Sequence, residues 1–304
     1  MFSARDLTVL PVFVAVAQSG SFTVAARELR LSKSVVSQHV RRLEERCGAR
    51  LLERTTRQVH VTQVGERVLD AAKLVLHAVE TLDQVARGEH DNADGTLRVA
   101  LPNDGALIGL VSSIAAELMR QHPALHVDLT VSDTVQDLVE AGLDVALRLG
   151  RLRSSSYVVN QLGSEPEIIV SSSSVFVELS KAQNPRDLGA VPWIAHSALG
   201  VRSTLSLRSD DGRKVQIAVD VRATANTGPS VRDLVLAGAG LAFLPAHLVR
   251  DDLKEGRLVH LCRRWFHQRL KLHALTPTKK TPRRVQLFLS ALRDAAGSLG
   301  FERT

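Results

Sequence analysis

Cysteine is almost missing from this chain: Cys47 and Cys262 are the only two in 304 residues, and they lie far apart in sequence. That excludes a disulfide framework and a four-cysteine zinc site. Aromatic residues make up 4% of the chain, so the core must be built from Val, Leu, Ile and Ala. Stacking platforms for single-stranded nucleic acid are not to be expected. Long apolar runs are missing too. The longest, Val9 to Ala17, contains Pro11 and falls far short of the roughly 20 residues a bilayer-spanning helix needs. The opening MFSARDLTVL lacks a basic region followed by an apolar core and a cleavage site, so a cytoplasmic location is expected. What is present, 44% hydrophobic and 23% charged residues, is the composition of a globular chain of about two domains.

The formal charge of +7 invites an anionic partner, and its distribution says where. Residues 1–60 hold ten Lys and Arg against five acids, residues 61–90 three against five, and the remainder carries +4. A basic head, an acidic connector and a mildly basic body suggest separate jobs. A second basic stretch, Arg257 to Arg284, has nine Lys and Arg and no acid. Its bases are spread among Val, Leu, Trp and Phe, the pattern of a solvated strand and loop face.

In the head, Leu7, Leu10, Phe13, Val14 and Ala17 recur at helical spacing, and Pro11 is tolerable if the helix begins near Thr8. Gly20 ends that helix, Ser21 caps a second over Phe22 to Leu29, and Ser32 caps a third carrying Val35, Val36, His39, Val40 and Leu43 before Gly48. Two short helices joined by a tight turn describe a helix-turn-helix, whose second helix can enter a DNA major groove. Lys33, Ser34, Ser37, Gln38 and Arg41 occupy its outward positions, where Lys and Gln suit base edges and Ser and Arg suit phosphates. Ala49 to Glu53 and Gln58 to Thr62 read as two strands around a tip that carries Arg54 and Arg57, a wing able to reach the DNA backbone or a narrow minor groove.

The run from Gly20 to Gly65 resembles the N-terminal winged helix-turn-helix of LysR-type transcriptional regulators. The resemblance rests on Ser21-Phe22, Ala25-Ala26, Leu29, Ser32, Ser37, Leu43-Glu44, Gly48, Leu51-Leu52, Arg54 and the ending Thr62-x-x-Gly65. It implies DNA contacts at Thr23, Lys33, Ser34, Ser37, Gln38 and the wing residue Arg57. Many members have Gln-Pro where this chain has Lys33-Ser34, so its preferred bases are expected to differ.

Val68, Ala71, Val75, Ala78, Leu82 and Val85 are spaced alternately three and four apart, a heptad seam that wants a partner helix. The resemblance likewise implies a dimerising linker here, with two heads reading inverted half-sites. Gly88 to Gly95 then supplies a polar break.

From Thr96 onward, strand and helix alternate: Leu97 to Pro102, Ala106 to Gln121, Leu125 to Val131, Val135 to Ala141 and Val145 to Leu149. Alternation predicts a parallel sheet with ligands at the carboxyl ends of its strands. Segments such as 142–150 and 238–245 resemble the effector domain of the same family. The implied α/β architecture is a winged helix-turn-helix over 1–62, a linker helix over 63–90, and a two-lobed, periplasmic-binding-protein-like body over 91–304. The first lobe would take about 96–163 and 268–304, the second about 164–267. Candidate effector contacts are Asn103, Asp104, Ser132, Asp133, Arg148, His196, Asn226 and Thr227. Asp104 and Asp133 would repel an unpaired anion, whereas Arg148 could attract one or pair with an Asp.

Other signals are weaker. Pro123 prevents one helix from presenting both His122 and His126, and His260, Cys262, His267 and His273 form only a loose set, so no metal is expected. Gly238-Ala239-Gly240 reads as a helix-ending turn rather than a dinucleotide loop. The serine runs lack a nucleophile elbow, no P-loop occurs, and a paired-thiol switch lacks its second cysteine in the body. The expectation is a homo-oligomeric regulator, dimeric or tetrameric, that binds double-stranded promoter DNA, carries no cofactor, is no enzyme, and answers a small effector. The alternative is a constitutive repressor whose body senses nothing.

Overall fold

The computed structural model describes residues 4–54, 59–86, 93–134, 136–152, 157–173, 184–189, 191–197 and 204–302. The chain divides into two compact units: residues 1–91 with 136–143, and residues 92–135 with 144–304.

In the first unit a 3-10 turn, Ala4–Val9, leads into α1 (Leu10–Ser19). Regular helix thus starts two residues later than the apolar spacing indicates, which leaves Pro11 in the first turn, where its missing amide costs nothing. α2 (Phe22–Glu28) is capped by Ser21, whose Oγ accepts from the Val24 amide at 3.4 Å. α3 (Lys33–Cys47) is capped by Ser32, which accepts from Val35 at 3.3 Å. Between them the chain turns with Arg30 at φ 53 and the Leu31 amide on the Ala26 carbonyl at 2.9 Å. Phe13, Val16, Ala25, Val36, Val40, Leu43 and Leu51 are buried together as one apolar core.

β1 (Leu52–Arg54) and β2 (Val59–Val61) form an antiparallel hairpin with Leu52 opposite Val61. β1 starts later than the sequence indicates because the Glu44 carboxylate takes the amides of Leu51 and Leu52, at 2.9 and 3.2 Å. α4 (Gln63–Ala86) follows. Its first turn is held by Thr62, whose Oγ1 accepts from the Gly65 amide at 2.9 Å and donates to the Arg50 carbonyl at 2.8 Å. Only glycine fits at position 65, since a Cβ there would stand 2.1 Å from the Leu51 carbonyl oxygen. The predicted helix over 135–141 is instead a run of turns over residues 138–142. Asp137 caps it by accepting from Val139 and Glu140, and Gly142 stops it at φ 62; Val135 lies outside the described residues.

The second unit opens with β3 (Gly95–Leu101), α5 (Gly105–Gln121), β4 (Leu125–Val131) and β5 (Val145–Leu149). It continues with β6 (Val158–Ser172), β7 (Pro192–His196), β8 (Thr204–Ser209), β9 (Lys214–Ala218) and β10 (Asp220–Ala225). α6 (Gly228–Leu236), β11 (Ala242–Pro245), α7 (Arg250–Lys254), β12 (Leu258–Thr276) and α8 (Arg283–Ala295) complete it.

The sheet runs β11-β6-β12-β5-β3-β4, with β8 attached to β12 and β9 to β8. The prediction of a parallel sheet holds for β3 with β4 and β5 and for the separate pair β7 and β10, and fails where β5, β12, β6 and β11 pair antiparallel. Parallel neighbours need a connection that crosses back over the sheet, as α5 does between β3 and β4. Elsewhere two long strands return through the sheet instead. β6 and β12 run through separate cores: Leu162 and Leu272 join the cluster of Leu97, Val111, Val145, Phe288 and Phe301, whereas Ile169 and Leu261 join that of Trp193, Leu207 and Phe243. Gly240 sits where a Cβ would lie 2.5 Å from the Pro192 carbonyl oxygen, letting the chain before β11 bond β7 through Ile194 and Leu241 at 2.7 Å.

Candidate nucleic-acid interface and ligand cavities

The apolar stripe of α3 turns Val36, Val40 and Leu43 inward. That leaves Lys33, Ser34, Gln38 and Arg41 exposed and Ser37 half-buried, with Thr23 exposed on α2. The predicted residues therefore share the outward side of the helix-turn-helix. Ser34 Oγ lies 2.8 Å from Ser32 Oγ at the helix start, where free amides and the helix dipole favour an anion. Arg41 Nε donates to Glu45 at 2.9 Å. An exposed pair of this kind is worth at most about 1 kcal/mol, so the guanidinium exchanges readily onto a phosphate. Of the wing arginines, Arg57 and the Arg54 side chain lie outside the described residues. Sequence reasoning gave Glu44 no task beyond a family match, yet its carboxylate ties the hairpin to α3.

The linker seam divides. Val68 and Val75 pack against the head's own core, where Leu69 and Ala72, off the seam, are the more buried. Farther along, Val79 and Leu82 stand 48% and 67% exposed. The Val85 side chain lies outside the described residues.

In the body, Asn103, Ser132, Asp133, His196 and Asn226 line one cavity of about 600 Å³ at the ends of β3, β4, β7 and β10. Burial pulls the His196 imidazole below its ordinary value, and the charge of Asp133 opposes that. Asp133 also accepts from the Asn103 amide at 3.0 Å, tying two of the loops together. The other three predicted contacts do other work.

Asp104 is buried, caps α5 through the Leu107 amide at 3.0 Å, and meets His247 Nε2 at 2.8 Å. The other ring nitrogen of His247 contacts Glu165, whose second oxygen accepts the His247 amide at 3.1 Å. Burial works to lower this imidazole, but hydrogen bonds and charge from Asp104 and Glu165 prevail and raise it to about 9. For Asp104, burial pushes upward, but the His247 hydrogen bond and charge together with the Leu107 and Ala106 amides outweigh it and hold the carboxyl below its usual range. Asp104 thus lies off the lining of that cavity, held by α5 and His247. No local pattern marks His247, 143 positions away, as its partner.

Thr227 caps α6 by accepting from Ser230 at 3.2 Å and bonds the Ser230 hydroxyl. Arg148 does not pair with an Asp among the described residues. One of its nitrogens donates to the Leu147 carbonyl at 3.2 Å and another is buried without a partner. Asp144, just before β5, is instead reached by Arg284 on α8, at 3.4 Å.

A larger cavity, about 920 Å³, adjoins the first through their shared His196. It lies along β12 beside β7 and β8, and its lining includes Arg151, Arg208, Lys271 and His273. Of the loose His and Cys set, His267 stacks on Phe243 at 4.9 Å and Cys262 is buried in the core of β12 at φ 47. No described helix is long and apolar enough to cross a membrane.

Two family models match the chain. One, described as the bacterial regulatory helix-turn-helix protein of the lysR family, covers residues 7–66, and the other, the LysR substrate binding domain, covers 90–297. The HTH-type transcriptional regulator PtxR of Pseudomonas aeruginosa is 34% identical over 96% of this chain and 93% of its own. The HTH-type transcriptional activator AaeR of Escherichia coli is 29% identical over 94% and 92%. Among solved structures, CrgA of Neisseria meningitidis is similar at 27% identity and a TM-score of 0.55, covering 99% of this chain and 100% of that one. AphB of Vibrio cholerae shares the fold, with a TM-score of 0.60 at 23% identity, over 96% of this chain and 98% of that one.

Proposed function

The chain belongs to the LysR family of transcriptional regulators, DNA-binding proteins with an effector-binding domain and not enzymes, and from that premise we propose which of its parts do the work. Lys33 and Gln38 read base edges in a major groove. Thr23, Ser34, Ser37 and Arg41 fix the register on phosphates, and the wing arginines Arg54 and Arg57 reach the flanking backbone. Two copies join through the exposed second half of α4, so that paired heads meet inverted half-sites, and bodies assemble pairs into a tetramer. The protein works in the cytoplasm, needs no cofactor or metal, and takes a small effector in the two adjoining cavities of the body that share His196, the smaller of them lined by Asn103, Ser132, Asp133 and Asn226. Effector binding favours one arrangement of the body and thereby shifts how the heads engage DNA.

The observation that carries this reading is the division of α3, with Val36, Val40 and Leu43 at 0% exposure and Lys33, Ser34, Gln38 and Arg41 exposed. Selection of bound fragments from genomic DNA, followed by competition against a scrambled copy at fixed salt, tests it; equal affinity for both rejects sequence-specific binding. Lys33→Ala should change base preference, whereas Arg41→Ala should weaken all sequences alike and lower the salt slope by about 1.

A further inference from the structure

The geometry points to the larger cavity of the body as a site for a small organic anion, a carboxylate carried on a flat apolar group. This rests on the reading of the body as the sensing half of a regulator, and it names the chemical class that is sensed.

Charge argues first. Arg151, Arg208 and Lys271 line the cavity and, among the described residues, no carboxylate does. Among the described residues none of the three forms an ion pair, in contrast to Arg269, which is engaged by Glu302 at 2.5 Å. The acid-free basic stretch from Arg257 to Arg284 is therefore more than a solvated face, since Lys271 turns its charge into a concave surface.

Unmet hydrogen bonding argues second and independently. His273 lines the same cavity at 6% exposure, and its Nδ1 is buried without a partner. It lies directly opposite Arg148 in the β12–β5 register, which places both side chains on one face of the sheet. Arg148 has its own buried nitrogen without a partner. Arg148 stands behind the lining, so the group that meets the cavity is His273, and a buried polar side chain left short of a partner on its wall favours a ligand that brings acceptor oxygens.

Shape argues third. Phe243, stacked with His267, and Phe266 also line the cavity and offer an apolar wall to the remainder of the ligand. The smaller cavity beside it has Asp133 on its lining and disfavours the same anion.

Titration calorimetry on the full-length chain with benzoate, benzamide and inorganic phosphate tests the assignment. Benzoate should saturate, with benzamide, of equal size but uncharged, at least about ten-fold weaker, and phosphate weaker than benzoate for want of the apolar part. Lys271→Gln and Arg151→Gln, both at exposed positions, should each weaken benzoate about three- to ten-fold. Equal binding of benzoate and benzamide, wild-type affinity in both variants, or no saturation by benzoate or phosphate at about 10 mM overturns the proposal. Binding of the selected genomic fragment, measured with and without benzoate, separates this from the regulatory reading. Charge-selective binding that leaves DNA occupancy unchanged upholds the anion site and defeats the sensing role. Occupancy that answers an uncharged compound, with no anion bound, defeats the site and leaves the regulator standing.

Discussion

The head and the body solve the problem of holding a fold together in different ways. Among the described residues the head buries apolar side chains and no polar or charged one, whereas among those of the body thirteen polar or charged residues are buried. Several of those thirteen form networks: Asp104 and Glu165 about His247, Asp144 with Arg284, and Asp252 with Arg232 and Arg257. A core of Val, Leu and Phe tolerates docking onto DNA as a rigid block. Buried charges instead tie distant segments in fixed geometry, and each tie is costly to break on one side only.

The largest effect expected is in the head. Phe13→Ala removes a side chain with no exposure and should cost about 4 kcal/mol, read from urea unfolding and unchanged by added salt. In the body, Asp252→Ala leaves Arg232 and Arg257 without the carboxylate they share at 2.5 to 2.8 Å, and should cost about 3 kcal/mol. A loss no greater than that of an exposed pair, about 0.5 kcal/mol, would erase the contrast between the regions. Ser32→Ala removes the cap of α3 and should cost about 1 kcal/mol while weakening DNA binding, both measurable on one preparation.

A further effect separates the regions by pH. Burial, together with the charge of Glu165, raises the Glu167 carboxyl from 4.5 to about 7, although a hydrogen bond from Gln268 opposes it. The folded state therefore holds this proton longer than the unfolded chain, and stability falls as pH rises from about 4.5 to about 7. His247 acts in the same direction at higher pH. Its contribution is fully present below 6.5 and is lost as pH passes about 9. Melting followed from pH 5 to 9 should show a body that weakens with alkalinity, with Glu167→Gln flattening the lower part of that slope. An unchanged slope in the variant would remove Glu167 from the account.

The same contrast explains what could be read before any coordinates. The caps Ser21 and Ser32, the inward stripe of α3 and its outward Lys33, Ser34, Gln38 and Arg41 are local patterns, with spacings of three and four residues. They came through nearly intact because a helix places such residues on one side whatever surrounds it. Where the reading slipped, a distant partner had intervened. Glu44 delayed the start of β1, and the head's core claimed Val68 and Val75 from the linker seam. In the body, Asn103, Ser132, Asp133, His196 and Asn226 were found because strand ends in an α/β sheet converge. Asp104 and Thr227, of the right type and at the right place in sequence, were withdrawn from the cavity as helix caps.

Periodicity, capping residues and charge along the chain were enough to establish a DNA-reading head, an amphipathic connector and an alternating body. They could not establish that His247 stands between Asp104 and Glu165, that Arg284 and not Arg148 reaches an Asp, or that Lys271 and His273 share a cavity. Local propensities act over a few residues, whereas those pairings close loops of up to about a hundred and forty and depend on where two long antiparallel strands come to lie.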